Sequence, residues 1–155
     1  NEIHYELEVI IKINRLGKFI QKKFSHKYYD EIGLGIDFTA RDLQLELKNK
    51  GLPWEKAKAF DGSAPVGIFI NKKEFKNTDN INFQLFVNNK VKQSGNVKNM
   101  IFSFDEIISY VSKYITLKKG DLIFTGSPAG VDKVKKNDLL EGYIEDRKVL
   151  EIKIK

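Results

Sequence analysis

The amino-acid sequence predicts a mostly β fold with two or three helices, an α+β chain without an interdomain linker. Three observations carry that expectation. Apolar and polar residues alternate over residues 3–13, 66–70 and 81–87, the two-residue period of a half-buried strand. Helical spacing is confined to short stretches, one of them opened by Ser103 with Glu106 three residues on, a capping box. Finally, 155 residues with 41% hydrophobic and 31% charged side chains suit one domain, residues 1–155, with enough apolar material for a core.

In the first strand, residues 3–13, His4, Glu6, Glu8 and Ile10 face one way and Tyr5, Leu7, Val9 and Ile11 the other. A turn follows near Arg15 to Gly17, and Ser25 is expected to open a short helix through Tyr29. Residues 32–38, IGLGIDF, read as another strand whose glycines permit close backbone approach. Thr39, with Asp42 three residues on, resembles a capping box ahead of Leu43 and Leu47, and Gly51 closes that helix. Pro53 lies in the first turn of a second short helical piece, PWEKAKAF. Asn88-Asn89 is a hairpin turn signal. The helix capped by Ser103 carries Ile107, Tyr110, Val111 and Tyr114, with Gly120 as its stop. A strand, DLIFT, precedes the loop Gly126-Ser127-Pro128-Ala129-Gly130, and the tail pairs LLEGYIE with KVLEIKI around Asp146-Arg147. Lys-Lys-Gly-Asp at 118–121 and Lys-Lys-Asn-Asp at 135–138 read as turn chemistry before strands, not as a repeat.

Composition narrows the function. Without cysteine, disulfide scaffolds, zinc fingers, iron–sulfur clusters and thiol nucleophiles are excluded. No apolar run approaches the roughly 20 residues of a spanning helix. Residues 1–14 carry Glu2, Glu6, Glu8 and Lys12 and lack the pattern of a signal peptide. The expectation is a soluble, cytoplasmic domain with no membrane partner. A net charge of +6 raises nucleic-acid binding, but only Arg15, Arg41 and Arg147 are arginine and the lysines are dispersed, so no nucleic-acid partner is expected.

The chemistry-bearing residues are mostly acids. Glu6 and Glu8 stand i, i+2 on one strand face, about 7 Å apart along the chain. Two carboxylates so placed repel unless the face is wet or a cation lies between them. An all-oxygen set suits a hard ion such as Mg²⁺ or Mn²⁺, although Glu-x-Glu is ordinarily just a solvated face. Asp37 ends the glycine-containing strand, either as a further ligand or as a turn aspartate. Arg41 and Gln44, three apart on the next helix, reach the same side. They suit an anionic ligand, or a plain surface ion pair. Lys58, between Ala57 and Ala59 and near Trp54 and Phe60, is functional, ion-paired or snorkelling. Thr125 and Ser127 offer hydroxyls, and their loop free N–H groups, to a carboxylate. His4 and His26, the two histidines, form no Ser-His-Asp arrangement. There is neither a Gly-x-Gly-x-x-Gly nor a Walker loop.

Taken together, His4-Tyr5-Glu6-Leu7-Glu8, GIDFTARDLQ (35–44), GLPWEKAKAFDGSAPVG (51–67), NMIFSFDEIISYVSKYITL (99–117) and GDLIFTGSPAGV (120–131) resemble the fumarylacetoacetate hydrolase family. The blocks span nearly the whole chain in the family's order, and GLPW-x-x-AK-x-F points to the acylpyruvate hydrolase and oxaloacetate decarboxylase branch. The resemblance implies a rolled, mixed β-sandwich, a homodimer, and one Mg²⁺ or Mn²⁺ per subunit. By resemblance, Glu6, Glu8 and Asp37 are metal ligands and Lys58 is the catalytic lysine. Arg41 and Gln44 join it in catalysis, and Thr125 and Ser127 bind substrate.

One feature departs from the family: its N-terminal His-x-x-Glu pair is missing, since Leu7 follows His4 and Tyr29 follows His26 at that spacing. With Asn1 inside a strand pattern, the expectation is that an N-terminal lid has been lost or omitted. The implied activity is C–C cleavage of an acylpyruvate, or decarboxylation of oxaloacetate, through a metal-stabilised enolate of a small 2-oxo acid or dicarboxylate. A 2-hydroxyhepta-2,4-diene-1,7-dioate-type isomerase and a catalytically silent metal-binding fragment are the alternatives.

Overall fold

The computed structural model describes residues 2–155. The predicted first strand is two, β1 (Ile3–Tyr5) and β2 (Leu7–Ile13), parted at Glu6. Next come α1 (Lys22–Ser25), β3 (Tyr29–Ile36), β4 (Thr39–Ala40) and α2 (Arg41–Asn49). The middle holds β5 (Ile70–Asn71), β6 (Asn82–Val87), β7 (Lys90–Asn96) and α3 (Phe104–Tyr114). β8 (Leu122–Phe124), β9 (Asp132–Lys133), β10 (Leu139–Ile144) and β11 (Arg147–Lys153) complete the chain. The mostly β expectation holds, with every named strand pair antiparallel. The sheets run β5-β3-β2-β8, β11-β10-β6-β7 and β4-β1-β9.

The core lies between the two four-stranded sheets. Leu7, Val9, Ile11 and Ile13 of β2 and Ile32, Leu34 and Ile36 of β3 meet Phe83, Leu85, Leu140, Ile144 and Leu150. Period two explains the sequence IGLGI. Its large residues face the core, and Gly33 and Gly35 fall on the opposite face, across the ladder from Ile10 and Glu8. A Cβ at Gly35 would stand 2.4 Å from Ile10 Cδ1 and 3.0 Å from the Pro65 carbonyl oxygen, so only glycine lets this face close. No helix among the described residues is long and apolar enough to cross a membrane.

Several local expectations are corrected. Ser25 ends α1 instead of opening a helix, because Tyr29 enters β3 and packs edge-on against Phe104 (5.8 Å, 77°). Thr39 does not cap α2: it pairs with His4 across the β1–β4 ladder, and Ala40 stands at the cap. The helical piece after Pro53 is only the 3-10 turn Glu55–Ala57. The buried stripe of α3 is Phe104, Ile108 and Ser112, while Tyr110 and Tyr114 face solvent. Gly120 is not the stop of α3. The helix ends at Tyr114 because Leu117 is drawn into a bridge with Gly17. The tail hairpin turns one residue earlier, through Glu145 and Asp146.

Other local signals behave as read. Ser103 and Glu106 form the reciprocal capping box. Gly51 (φ +64°) ends α2, its N–H donating to Lys48 O (3.1 Å) while that of Leu52 reaches Leu47 O (3.0 Å). Asn88 and Asn89 both have positive φ, as the tight hairpin requires. The two similar tetrapeptides are the same turn: Lys118 N–H donates to Asp121 Oδ2 and Lys135 N–H to Asp138 Oδ2, each at 2.7 Å.

Candidate active site

The face of β2 turned away from the core carries the site. Glu6 occupies the break before β2, Glu8 follows two residues on, and Asp37 comes directly after β3. Asp37 N–H donates to Glu6 O (2.9 Å), so Asp37 stands across the ladder from Glu6. One carboxylate oxygen from each of Glu6, Glu8 and Asp37 lies within 4.8 Å of the others. The strand register thus gathers three acids that are distant in the chain.

Two cations face them. Lys58, directly after the Glu55–Ala57 turn, places Nζ 2.8 Å from Glu6 Oε2 and 2.5 Å from Asp37 Oδ2. Lys58 is therefore ion-paired, one of the readings its sequence context left open, and the groups at its ammonium are acidic. Arg41, at the start of α2, donates through Nη2 to Glu6 Oε1 and through Nη1 to Gln44 Oε1 (2.7 Å). Glu6 and Lys58 side chains are only 15% and 22% exposed, which sets these pairs apart from weak surface salt bridges.

The acids titrate differently. Burial alone would raise Glu6, but hydrogen bonds from Lys58 and Arg41 outweigh it and hold its carboxyl below the usual range. Glu8 is buried and touches neither cation. Its burial, the largest influence, pushes the pKa up to about 7; the Gly126 N–H opposes this, and the Asp37 and Glu6 charges reinforce it. Burial disfavours the Lys58 ammonium, yet Asp37 and Glu6 raise its pKa above the usual lysine value.

The loop after β8 closes the site through its backbone. Gly126 N–H donates to Glu8 Oε2 at 2.6 Å. The Thr125 hydroxyl is spent on Val9 O (2.8 Å), and Ser127 Oγ accepts from Gln93 Nε2 (2.9 Å). Gln93 was not singled out from the sequence: it is one polar residue in a polar strand, and its partners are remote in the chain. His4 lies 3.4 Å from Glu2 and outside the acid cluster.

The donor set fits a hard divalent cation: three converging carboxylates, one strongly disfavoured as an anion, and no sulfur or nitrogen ligand among them. With all three acids ionised, Lys58 and Arg41 leave the cluster one net negative charge, and with Glu8 protonated none. A divalent ion would make it net positive, suited to an anionic ligand.

The family described as fumarylacetoacetate (FAA) hydrolase C-terminal matches residues 1–155. The chain belongs to the fumarylacetoacetate hydrolase family. Within it, the chain is 41% identical over 153 residues to the mouse protein named oxaloacetate tautomerase FAHD1, mitochondrial, covering 99% of this chain and 69% of that protein. It is 38% identical over 141 residues to the Dictyostelium discoideum oxaloacetate decarboxylase, mitochondrial, covering 91% and 65%. Among solved structures, fumarylpyruvate hydrolase from Pseudomonas aeruginosa in complex with Mn²⁺ and pyruvate superposes with a TM-score of 0.93 at 32% identity, covering 99% of this chain and 66% of that one. The chain therefore spans about two thirds of the length of these fumarylacetoacetate hydrolase family enzymes.

Proposed function

We propose that this chain carries a divalent-metal-dependent site for 2-oxo acids of the oxaloacetate type. The observation that carries the reading is the convergence of Glu6, Glu8 and Asp37 beside Lys58. Glu6, Glu8 and Asp37 would hold Mg²⁺ or Mn²⁺, which when bound supplies Lewis-acid polarisation to the substrate's carboxylate and 2-oxo oxygen.

The chain's own residues do the rest. Two of the three Lys58 donors are engaged by acids, which leaves one for the substrate oxygen on which negative charge grows. The Arg41 fork has donors beyond those used by Glu6 and Gln44, available to a substrate carboxylate. Gln44 fixes the plane of that guanidinium. The Gly126 N–H and the Thr125/Ser127 loop form the wall beside Glu8.

In oxaloacetate the C3–C4 bond breaks, carbon dioxide leaves, and its electron pair passes into the enolate of pyruvate, which then takes a proton at C3. The same charge placement serves enol–keto tautomerisation, in keeping with the names of the mammalian relatives. Hydrolysis of an acylpyruvate is the second reading. It is favoured by the similarity to fumarylpyruvate hydrolase; a cavity of about 500 Å³ beside the Thr125–Ala129 loop, lined with Phe83, Met100, Phe102 and Ile107, shares that loop but is lined by none of the three acids, Arg41 or Lys58. A homodimer and a cytoplasmic setting complete the proposal.

The test is turnover of oxaloacetate, its enol and an acylpyruvate with Mn²⁺ present, on the unaltered chain and on Lys58→Ala. Turnover of at least one substrate that falls about 100-fold or more in Lys58→Ala, with Mn²⁺ still bound, supports the reading. Undiminished turnover in the variant contradicts it.

A further inference from the structure

We propose that Gln93 is a positioning residue that locks the Gly126–Gly130 loop to the strand carrying the two glutamates. The inference rests on the metal-site reading above for its catalytic consequence, though its structural part stands alone. Gln93 is 1% exposed and is the one buried residue of β7. Both ends of its amide are used. Oε1 accepts from Leu7 N–H at 2.8 Å, between Glu6 and Glu8, where β1 breaks from β2. Nε2 donates to Ser127 Oγ and to Pro128 O, each at 2.9 Å. One side chain therefore spans from the backbone between two acids to the loop whose Gly126 N–H meets Glu8.

The surrounding backbone is built for that reach. Leu85 pairs with Gln93 but Phe86 with Val91, so Lys92 is an extra residue, a bulge that bends β7. Gly130 (φ +101°) seats the loop against that bulge, where a Cβ would lie 2.2 Å from Lys92 O. A hydrophobic residue at position 93 would fill the space and keep Leu85 covered, yet it would strand the buried Leu7 N–H. The polar amide is required by the joint, not by the core.

The test compares Gln93→Glu and Gln93→Leu with the unaltered chain. Gln93→Glu keeps an acceptor for Leu7 and turns the Pro128 contact repulsive. Gln93→Leu removes both arms. Amide hydrogen exchange is read first, without metal or substrate. Residues 125–130 should exchange faster in both variants while β3 and α3 stay protected. With Mn²⁺ and oxaloacetate, kcat should fall about 10- to 100-fold in Gln93→Glu, with Mn²⁺ affinity held within about 2-fold, and Gln93→Leu should lose Mn²⁺ affinity as well. Loop exchange and kcat unchanged in Gln93→Glu, or a Gln93→Leu chain that only melts earlier with kcat and Mn²⁺ affinity intact, would overturn the proposal. Absence of Mn²⁺ binding by the unaltered chain would instead count against the metal reading, with the exchange result still deciding the role of Gln93.

Discussion

Glu8 is the acid on which pH acts. In the folded, metal-free chain its carboxyl holds a proton up to about 7, against an ordinary 4.5. Between those values the folded state binds more protons than the unfolded one, so metal-free stability falls as pH rises through that window. The loss is at most about 3 kcal/mol. Mn²⁺ must displace that proton, so its affinity should rise as pH passes through about 7. Thermal melts should show a larger Mn²⁺-induced gain at about pH 8 than at about pH 5.5. Glu8→Gln should abolish that gain and leave the metal-free melt flatter with pH. Lys58 behaves oppositely under mutation. Lys58→Ala should remove turnover yet bind Mn²⁺ within several-fold of the unaltered chain, as read by calorimetry, because the three carboxylates remain.

Elements hold these residues in register. Gly35→Ala forces a methyl group into Ile10 and toward the Pro65 backbone. It should cost about 2 kcal/mol or more and weaken Mn²⁺ binding, since Gly35 faces Glu8 across the ladder. Ser103→Ala removes the cap of α3, a helix that supplies none of the three acids, and should cost about 1 kcal/mol with Mn²⁺ affinity unchanged. Chemical denaturation with a Mn²⁺ titration checks both. These elements also show what a sequence can reveal. Ser103 and Glu106, Gly51, and Asn88-Asn89 act on neighbours within a few residues, so their effects were readable from local pattern. Thr39 matches the same kind of local signal, but His4 takes it into a strand pair. The faces of α3 misled for a related reason: its partners Ile20 and Tyr29 come from remote segments.

At the scale of the whole molecule, Glu6, Glu8, Asp37, Arg41, Gln44 and Lys58 could be nominated together because they lie in blocks resembling a known family; read singly, their residue types left plainer roles open. The convergence of the three acids follows from the β2–β3 register. Gln93 was invisible because its partner Leu7 is 86 residues away and it is the one buried residue of an otherwise unburied strand. The net charge of +6 is spread over the surface, whereas the acid cluster is local. Binding of oxalate should therefore depend on the divalent ion and vanish with a chelator, while binding to duplex DNA should be weak and lost with salt.

The most direct measurement is calorimetric titration of Mn²⁺ into the unaltered chain and into Glu8→Ala at about pH 8, with and without oxalate. The account predicts one ion per chain, tighter binding when oxalate is present, and loss of both signals in Glu8→Ala. Mn²⁺ binding of equal strength in Glu8→Ala, or none in the unaltered chain, would contradict it.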